Sequence, residues 1–178
     1  MKAKRARPRP QDQPPSLSLW RMGLVAAASL GLALGFYLFL AGIPAFDRTV
    51  SSATARMAGF ALGILGAGVS VQGTLLVAKD VSFQVVADCT PLAPVALVAG
   101  AMLAFPSSRR AKLAGIAFSA VALSLVNLVR LVSLVYIGLY LPQWLEVSHL
   151  ILWQAVMILT GIVLWLLWAT RYALRSRP

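Results

Sequence analysis

Few residues in this chain could do chemistry, and their scarcity narrows what that chemistry is. There is one cysteine, Cys89, and one histidine, His149, in 178 residues. A cysteine is a nucleophile as its thiolate, and a histidine is the side chain that most readily serves it as base and acid. The third candidate is Arg130, which stands inside a long run otherwise free of charge. A guanidinium there is costly unless it faces a partner or a polar cavity, and its planar fork can stabilise an oxyanion or grip a carboxylate. A single cysteine makes no disulfide within one copy, and one cysteine with one histidine cannot build a zinc site of several such ligands. No metal and no other cofactor is expected.

The elements that must position these residues belong to a membrane. Hydrophobic residues make up 60% of the chain and charged residues 12%, against about 25% charged in an ordinary soluble domain. Mean hydropathy is +0.82. Uncharged runs cover residues 22–43, 91–105, about 113–140 and 149–169, which predicts four transmembrane helices. A fifth apolar stretch, 57–69, is short and holds Gly59, Gly63, Gly66 and Gly68, so it reads as a short amphipathic or re-entrant helix. Gly31 and Gly35, like Gly59 and Gly63, have the small-xxx-small spacing of close helix packing. The fold class expected is an all-α integral membrane helical bundle, a single domain over 20–178, with a small extracytoplasmic β-hairpin within 44–89. Alternation of Val81, Phe83 and Val85 with Ser82 and Gln84 marks that hairpin, and Lys79-Asp80 supplies its turn.

Charge orients the bundle. The net charge is +11. With four spans and the N-terminus inside, Lys2, Lys4, Arg5, Arg7, Arg9, Arg21, Arg109, Arg110, Lys112, Arg171, Arg175 and Arg177 all face the cytoplasm. Only Arg48, Arg56 and Lys79 face outward, a twelve-to-three bias in the direction the positive-inside rule demands. A fifth span would reverse it for Arg109, Arg110, Lys112 and the basic C-terminus. Residues 1–19, basic and rich in proline, read as a disordered cytoplasmic tail that fixes topology and touches anionic lipid; nucleic acid is not expected as a partner.

On this topology the three reactive residues meet. Cys89 precedes the second span in Asp88-Cys89-Thr90-Pro91, with Thr90 expected as N-cap and Pro91 as first helical residue. The free amides and dipole of a helix start favour negative charge there. Arg130 lies 18 residues beyond Lys112, about 27 Å up a straight helix and so near the outer boundary. Ser124, Asn127, Arg130 and Ser133 recur every three residues and form one polar stripe toward the bundle interior. His149 opens the last span at the same level, with Ser148 as its expected N-cap and Glu146 placed to orient the imidazole. Each residue alone has a plainer reading: a small apolar filler, a snorkelling cation, an interfacial imidazole. Their convergence at one depth favours chemistry.

At these residues the sequence resembles the exosortase/archaeosortase family, nearest the short single-module exosortase H type. The matches are a cysteine after a β-like stretch (FQVVADCT), an Asn-x-x-Arg helix (Asn127 to Arg130 in LVNLVRLVSLVYIG) and a histidine opening the last span (EVSHLILWQAVMILTGIVLWLLW). The resemblance covers roughly residues 60–168. It implies that Cys89, Arg130 and His149 occupy catalytic positions of a cysteine protease or transpeptidase in a bacterial inner membrane. It further implies substrate proteins with a C-terminal sorting tail: a motif, a transmembrane helix and a basic cluster. One departure is the run Cys89-Thr90-Pro91 where the family commonly has glycine two residues after the cysteine. Proline offers no amide to an oxyanion hole. Asn127, Asp88 and Glu146 are expected to support or position substrate, and the strand before Asp88 to pair with the extended motif. The rival reading is a non-enzymatic scaffold or small transporter subunit with a polar Arg/His site, in which Cys89 is dispensable.

Overall fold

A computed structural model describes residues 19–79 and 81–173 of the chain. The expected disordered tail, but for Leu19, and Asp80 of the expected turn lie outside the described residues. The chain runs through α1 (Leu19–Ala41), α2 (Pro44–Ile64), strands β1 (Val69–Gln72), β2 (Leu75–Ala78) and β3 (Val81–Gln84), then α3 (Leu92–Ala104) and α4 (Arg109–Tyr140). It ends in one nearly continuous helical rod: a 3₁₀ turn (Pro142–Trp144), α5 (Leu145–Val147), a π-helical stretch (Ser148–Leu152), α6 (Trp153–Trp168) and a second π-helical stretch (Ala169–Ala173).

Among the described residues three helical segments are long and apolar enough to cross a membrane: Gly23–Ala41, Arg109–Tyr140 and Pro142–Arg171. The expected span at 91–105 is the apolar helix α3, whose 13 residues reach about 20 Å at the helical rise. It is thin against a hydrocarbon core of about 30 Å.

The stretch 57–69 is not an element of its own. Its first part is the end of α2, a 21-residue helix that starts at Pro44 and carries Asp47, Arg48 and Arg56. Those charges interrupt the apolar run and hide the helix from a search for uncharged segments. Gly66, at φ +76°, stops it. The Ala67 amide donates to the Leu62 carbonyl (2.9 Å) and the Gly66 amide to Gly63 (3.1 Å), the paired bonds of a Schellman cap. From there the chain turns into β1.

The expected hairpin is a three-stranded antiparallel meander in the order β1-β2-β3. Gln72 pairs with Leu75 and Ala78 with Val81, so two tight turns close it. Gly73 (φ +62°) and Lys79 (φ +52°) supply the left-handed residues that such turns need.

Two cores hold the bundle. At the sheet end, Ala55, Ala58 and Leu62 of α2, Leu76 and Val85, Cys89, and Leu131 and Val135 of α4 pack together. At the other end Val98, Met102, Leu123, Met157, Leu164 and Trp168 join α3, α4 and α6. There the Trp168 indole donates to the Ala111 carbonyl (2.8 Å), and Lys112 Nζ donates to the Leu103 carbonyl (2.6 Å), satisfying a helix end. α1 packs chiefly on α3. Gly31 and Gly35 face open space; the close approach is made by Gly100, where a Cβ would meet Ala33 and the Ser29 carbonyl.

Candidate active site

Cys89 closes a 3₁₀ turn, Ala87–Cys89, between the meander and α3. The Cys89 amide donates to the Val86 carbonyl (2.8 Å) and the Thr90 amide to Ala87 (3.0 Å). The Thr90 hydroxyl also turns back to the Ala87 carbonyl, at 2.7 Å. It is therefore not the N-cap expected from the sequence. Pro91 holds that position and α3 starts at Leu92, because the threonine oxygen is engaged in the preceding turn and proline has no amide to satisfy. Cys89 is a free cysteine and 8% exposed.

The turn is tied to α4 by one side chain. Asn127, 1% exposed, donates from Nδ2 to the Cys89 carbonyl at 2.8 Å. The sequence marks Asn127 as a polar residue on the stripe of Arg130; its bond to a backbone oxygen 38 positions away follows only from the fold. The stripe itself is observed, with Asn127 and Arg130 buried and Ser124 and Ser133 half-buried at its ends. Arg130 is 5% exposed and its Nε has no hydrogen-bond partner. A buried guanidinium nitrogen left unpaired carries a desolvation cost.

The sheet is seated on the same helix. Phe83 of β3 lies over Gly138 of α4, where any Cβ would strike its ring. That contact, and the Val85 amide bonded to the Thr74 carbonyl (2.9 Å), carry the chain from β3 into the cysteine turn in one register.

His149 is half-buried in the π-helical stretch. Ser148, expected as an N-cap, is instead buried within a helical run already under way from Leu145. The wider π turn inserts a residue and re-aims the side chains around it, a device common at functional sites. Two cavities meet here. The larger, about 720 Å³, lies between α3, α4 and α6 and is lined at its sheet end by Asp88, Thr90, Arg130 and His149. The smaller, about 530 Å³, is lined by Ser82, Phe83 and Gln84 of β3, by Cys89, and by Glu146 and His149. The imidazole thus shares one wall with the thiol and another with the guanidinium. Among the described residues no hydrogen bond joins Cys89 to His149 or Glu146 to His149. Asp88 and Glu146 are exposed at the cavity mouths. No cluster of three or more potential metal ligands occurs among the described residues.

The model of the transmembrane exosortase family (exosortase EpsH) matches residues 15–152. The chain belongs to that family. The match takes in Cys89, Arg130 and His149 and ends at the last residue of the first π-helical stretch, before α6. No curated protein and no solved structure matches the chain. Exosortases are membrane-embedded cysteine transpeptidases that act on sorting signals, so the family supplies a reaction class for a bundle with a single thiol.

Proposed function

We propose that this exosortase cleaves the C-terminal sorting tail of substrate proteins at the outer face of a bacterial inner membrane. Cys89 is its nucleophile, His149 its acid and base, and Arg130 its oxyanion partner. The carrying observation is the buried Arg130, whose guanidinium has no partner at Nε, lining a cavity with His149 beside the turn that presents Cys89. A cation so placed answers a charge that appears only during reaction, which is the arrangement that favours a transition state over a ground state.

In the reaction the thiolate of Cys89, its proton held by His149, attacks the scissile carbonyl, and the guanidinium of Arg130 stabilises the developing oxyanion. Collapse breaks the C–N bond, His149 gives its proton to the leaving amine, and the tail departs from a thioester. His149 then takes a proton from the acceptor, which attacks the thioester and expels Cys89 as the thiolate, restoring the thiolate and protonated imidazole. Proline at position 91 denies the site an amide, and the guanidinium stands in for it. Asn127, by holding the Cys89 carbonyl, keeps the turn from drifting during attack.

The topology consistent with this reading has four spans, both termini in the cytoplasm and the sheet outside. Its partners are tail-bearing substrate proteins and membrane lipids. The direct test is expression of wild type and Cys89→Ala beside a reporter ending in motif, transmembrane helix and basic cluster. Processing by the wild type alone is expected. Unchanged processing by Cys89→Ala overturns the assignment of the nucleophile, and loss with Arg130→Ala but not Cys89→Ala is the outcome a non-enzymatic polar site predicts.

A further inference from the structure

The larger cavity continues well past the reactive groups. Beyond Arg130 and His149 it is a trough between α3 and α6, floored where Val98 meets Gly161. Its other wall is a row of Leu150 in the π-helical stretch and Gln154, Ile158 and Ile162 of α6, one residue every four. Facing it on α3 are Pro94, Leu97 and Ala101. Rows of this period are the ridges that helices present to one another. From Leu150 to Ile162 the row extends about 18 Å along the bundle, and Leu97, Leu150, Ile158 and Ile162 are all exposed.

Two features separate this trough from an ordinary lipid-facing surface. It is continuous with the site, since His149 and Leu150 line both it and the smaller cavity that holds Cys89. It also exposes a carboxamide, Gln154, about 7 Å past His149 along the helix. The lipid-facing rows of α4 (Val121, Leu125, Val129) and α1 (Leu32, Phe36, Phe39) contain only apolar side chains. An amide exposed to hydrocarbon is costly until another helix answers it with a hydrogen bond.

We infer that the trough between α3 and α6 seats the transmembrane helix of the substrate tail, which enters sideways from the lipid, and that Gln154 selects among tails by hydrogen bonding to that helix. The inference rests on the reading of the chain as a sorting-tail transpeptidase and locates a part of the substrate that this reading leaves unplaced. A helix lying in the trough has its near end at His149, so the residues before it pass into the smaller cavity, between β3 and Cys89. The two cavities hold the two sides of one scissile bond. An acyl chain would fill the trough but offers Gln154 no partner, whereas a helix with a polar side chain supplies one.

Photo-cross-linking in native membranes tests this. A photoreactive residue replaces Leu97, Ile158 or Ile162 in the trough, or Leu125, Val129 or Phe36 as controls, in the Cys89→Ala chain. The probe is a reporter ending in a tail that the wild type processes. Cross-links to the reporter several-fold stronger from the trough positions than from the controls are expected. Even labelling from all six, or trough cross-links to lipid or to a second copy that the tail does not displace, overturns the seat. Continued processing by Cys89→Ala is a different failure: it removes the nucleophile assignment while the cross-link pattern still reports where the helix lies. In the wild-type background, Gln154→Leu should raise KM for the tail about threefold to tenfold, the worth of one interhelical hydrogen bond, with kcat unchanged. An unchanged KM ends the role assigned to Gln154, whereas a fall in kcat alone would mark it as structural and end that role equally.

Discussion

At the scale of the residue, the site rests on two polar side chains buried in α4. Arg130 is buried without a partner for Nε, and the Asn127 carboxamide oxygen is likewise unpaired although its nitrogen is engaged with the Cys89 carbonyl. Buried polar groups are ordinarily satisfied, and these two lie one turn apart on α4, beside the cysteine turn. Arg130→Lys keeps the charge but loses the planar fork. We expect kcat for tail processing to fall by about a hundredfold or more, the scale of a lost oxyanion donor; full activity would mean that charge alone suffices. Asn127→Ala leaves the Cys89 carbonyl without its partner, a loss of about 1–3 kcal/mol. Its expected signature in kinetics is a lower kcat with KM little changed, because the nucleophile drifts while the substrate's seat remains. The identities of Cys89, Arg130 and His149 as candidates were legible in the sequence, because reactive side chains are so few there and charge placed them at one depth. The Asn127 bond was not, since nothing in residue type or spacing marks a contact between a side chain and a main-chain oxygen 38 residues away.

At the scale of the element, the site depends on how the meander is fastened to α4. Phe83 occupies the space that any side chain at position 138 would need. Gly138→Leu must therefore push β3 away or bend α4, at about 1–3 kcal/mol of overpacking. The prediction is loss of tail processing with helical content unchanged by circular dichroism. Retained processing would show that the cysteine turn holds its place without β3. Elements whose signal is local could be read in advance. The apolar helices announced themselves by composition, and β3 by alternation in Val81 to Val85. α2 was hidden because Asp47, Arg48 and Arg56 break its apolar run, while its inward face of Ala55, Ala58 and Leu62 is defined only by the sheet and α4 that cover it. The third strand was likewise invisible, since β1 becomes a strand by pairing with β2 through the turn at Gly73. The caps expected at Thr90 and Ser148 failed for a shared reason. A hydroxyl before an apolar run reads as a helix start, but in both places a helical turn was already under way, in the 3₁₀ turn before Thr90 and in α5 before Ser148.

At the scale of the whole molecule, the two ends of the bundle differ in kind. One end carries the meander, α2 and the reactive residues; the other carries Arg109, Arg110 and Lys112 at the start of α4 and Arg171 beyond α6. Basic residues flanking spans remain on the cytoplasmic side, because carrying each across is opposed by the membrane potential and favoured by nothing in the lipid. The site should then open outward, and because the chain has a single cysteine this can be read with one reagent. In intact cells a membrane-impermeant maleimide should label Cys89, slowly, since the thiol is mostly buried. Moving the thiol to the other end, as Ser107→Cys in the Cys89→Ala chain, should give no label until the membrane is permeabilised. Position 107 lies in the loop between α3 and α4, next to the three basic residues, so the pair reports both faces through one chemistry. Labelling of the Ser107→Cys chain in intact cells, with Cys89 protected, would invert the bundle. An outward-facing substrate could then not reach the thiol, and the proposed reaction would have to be given up along with the orientation.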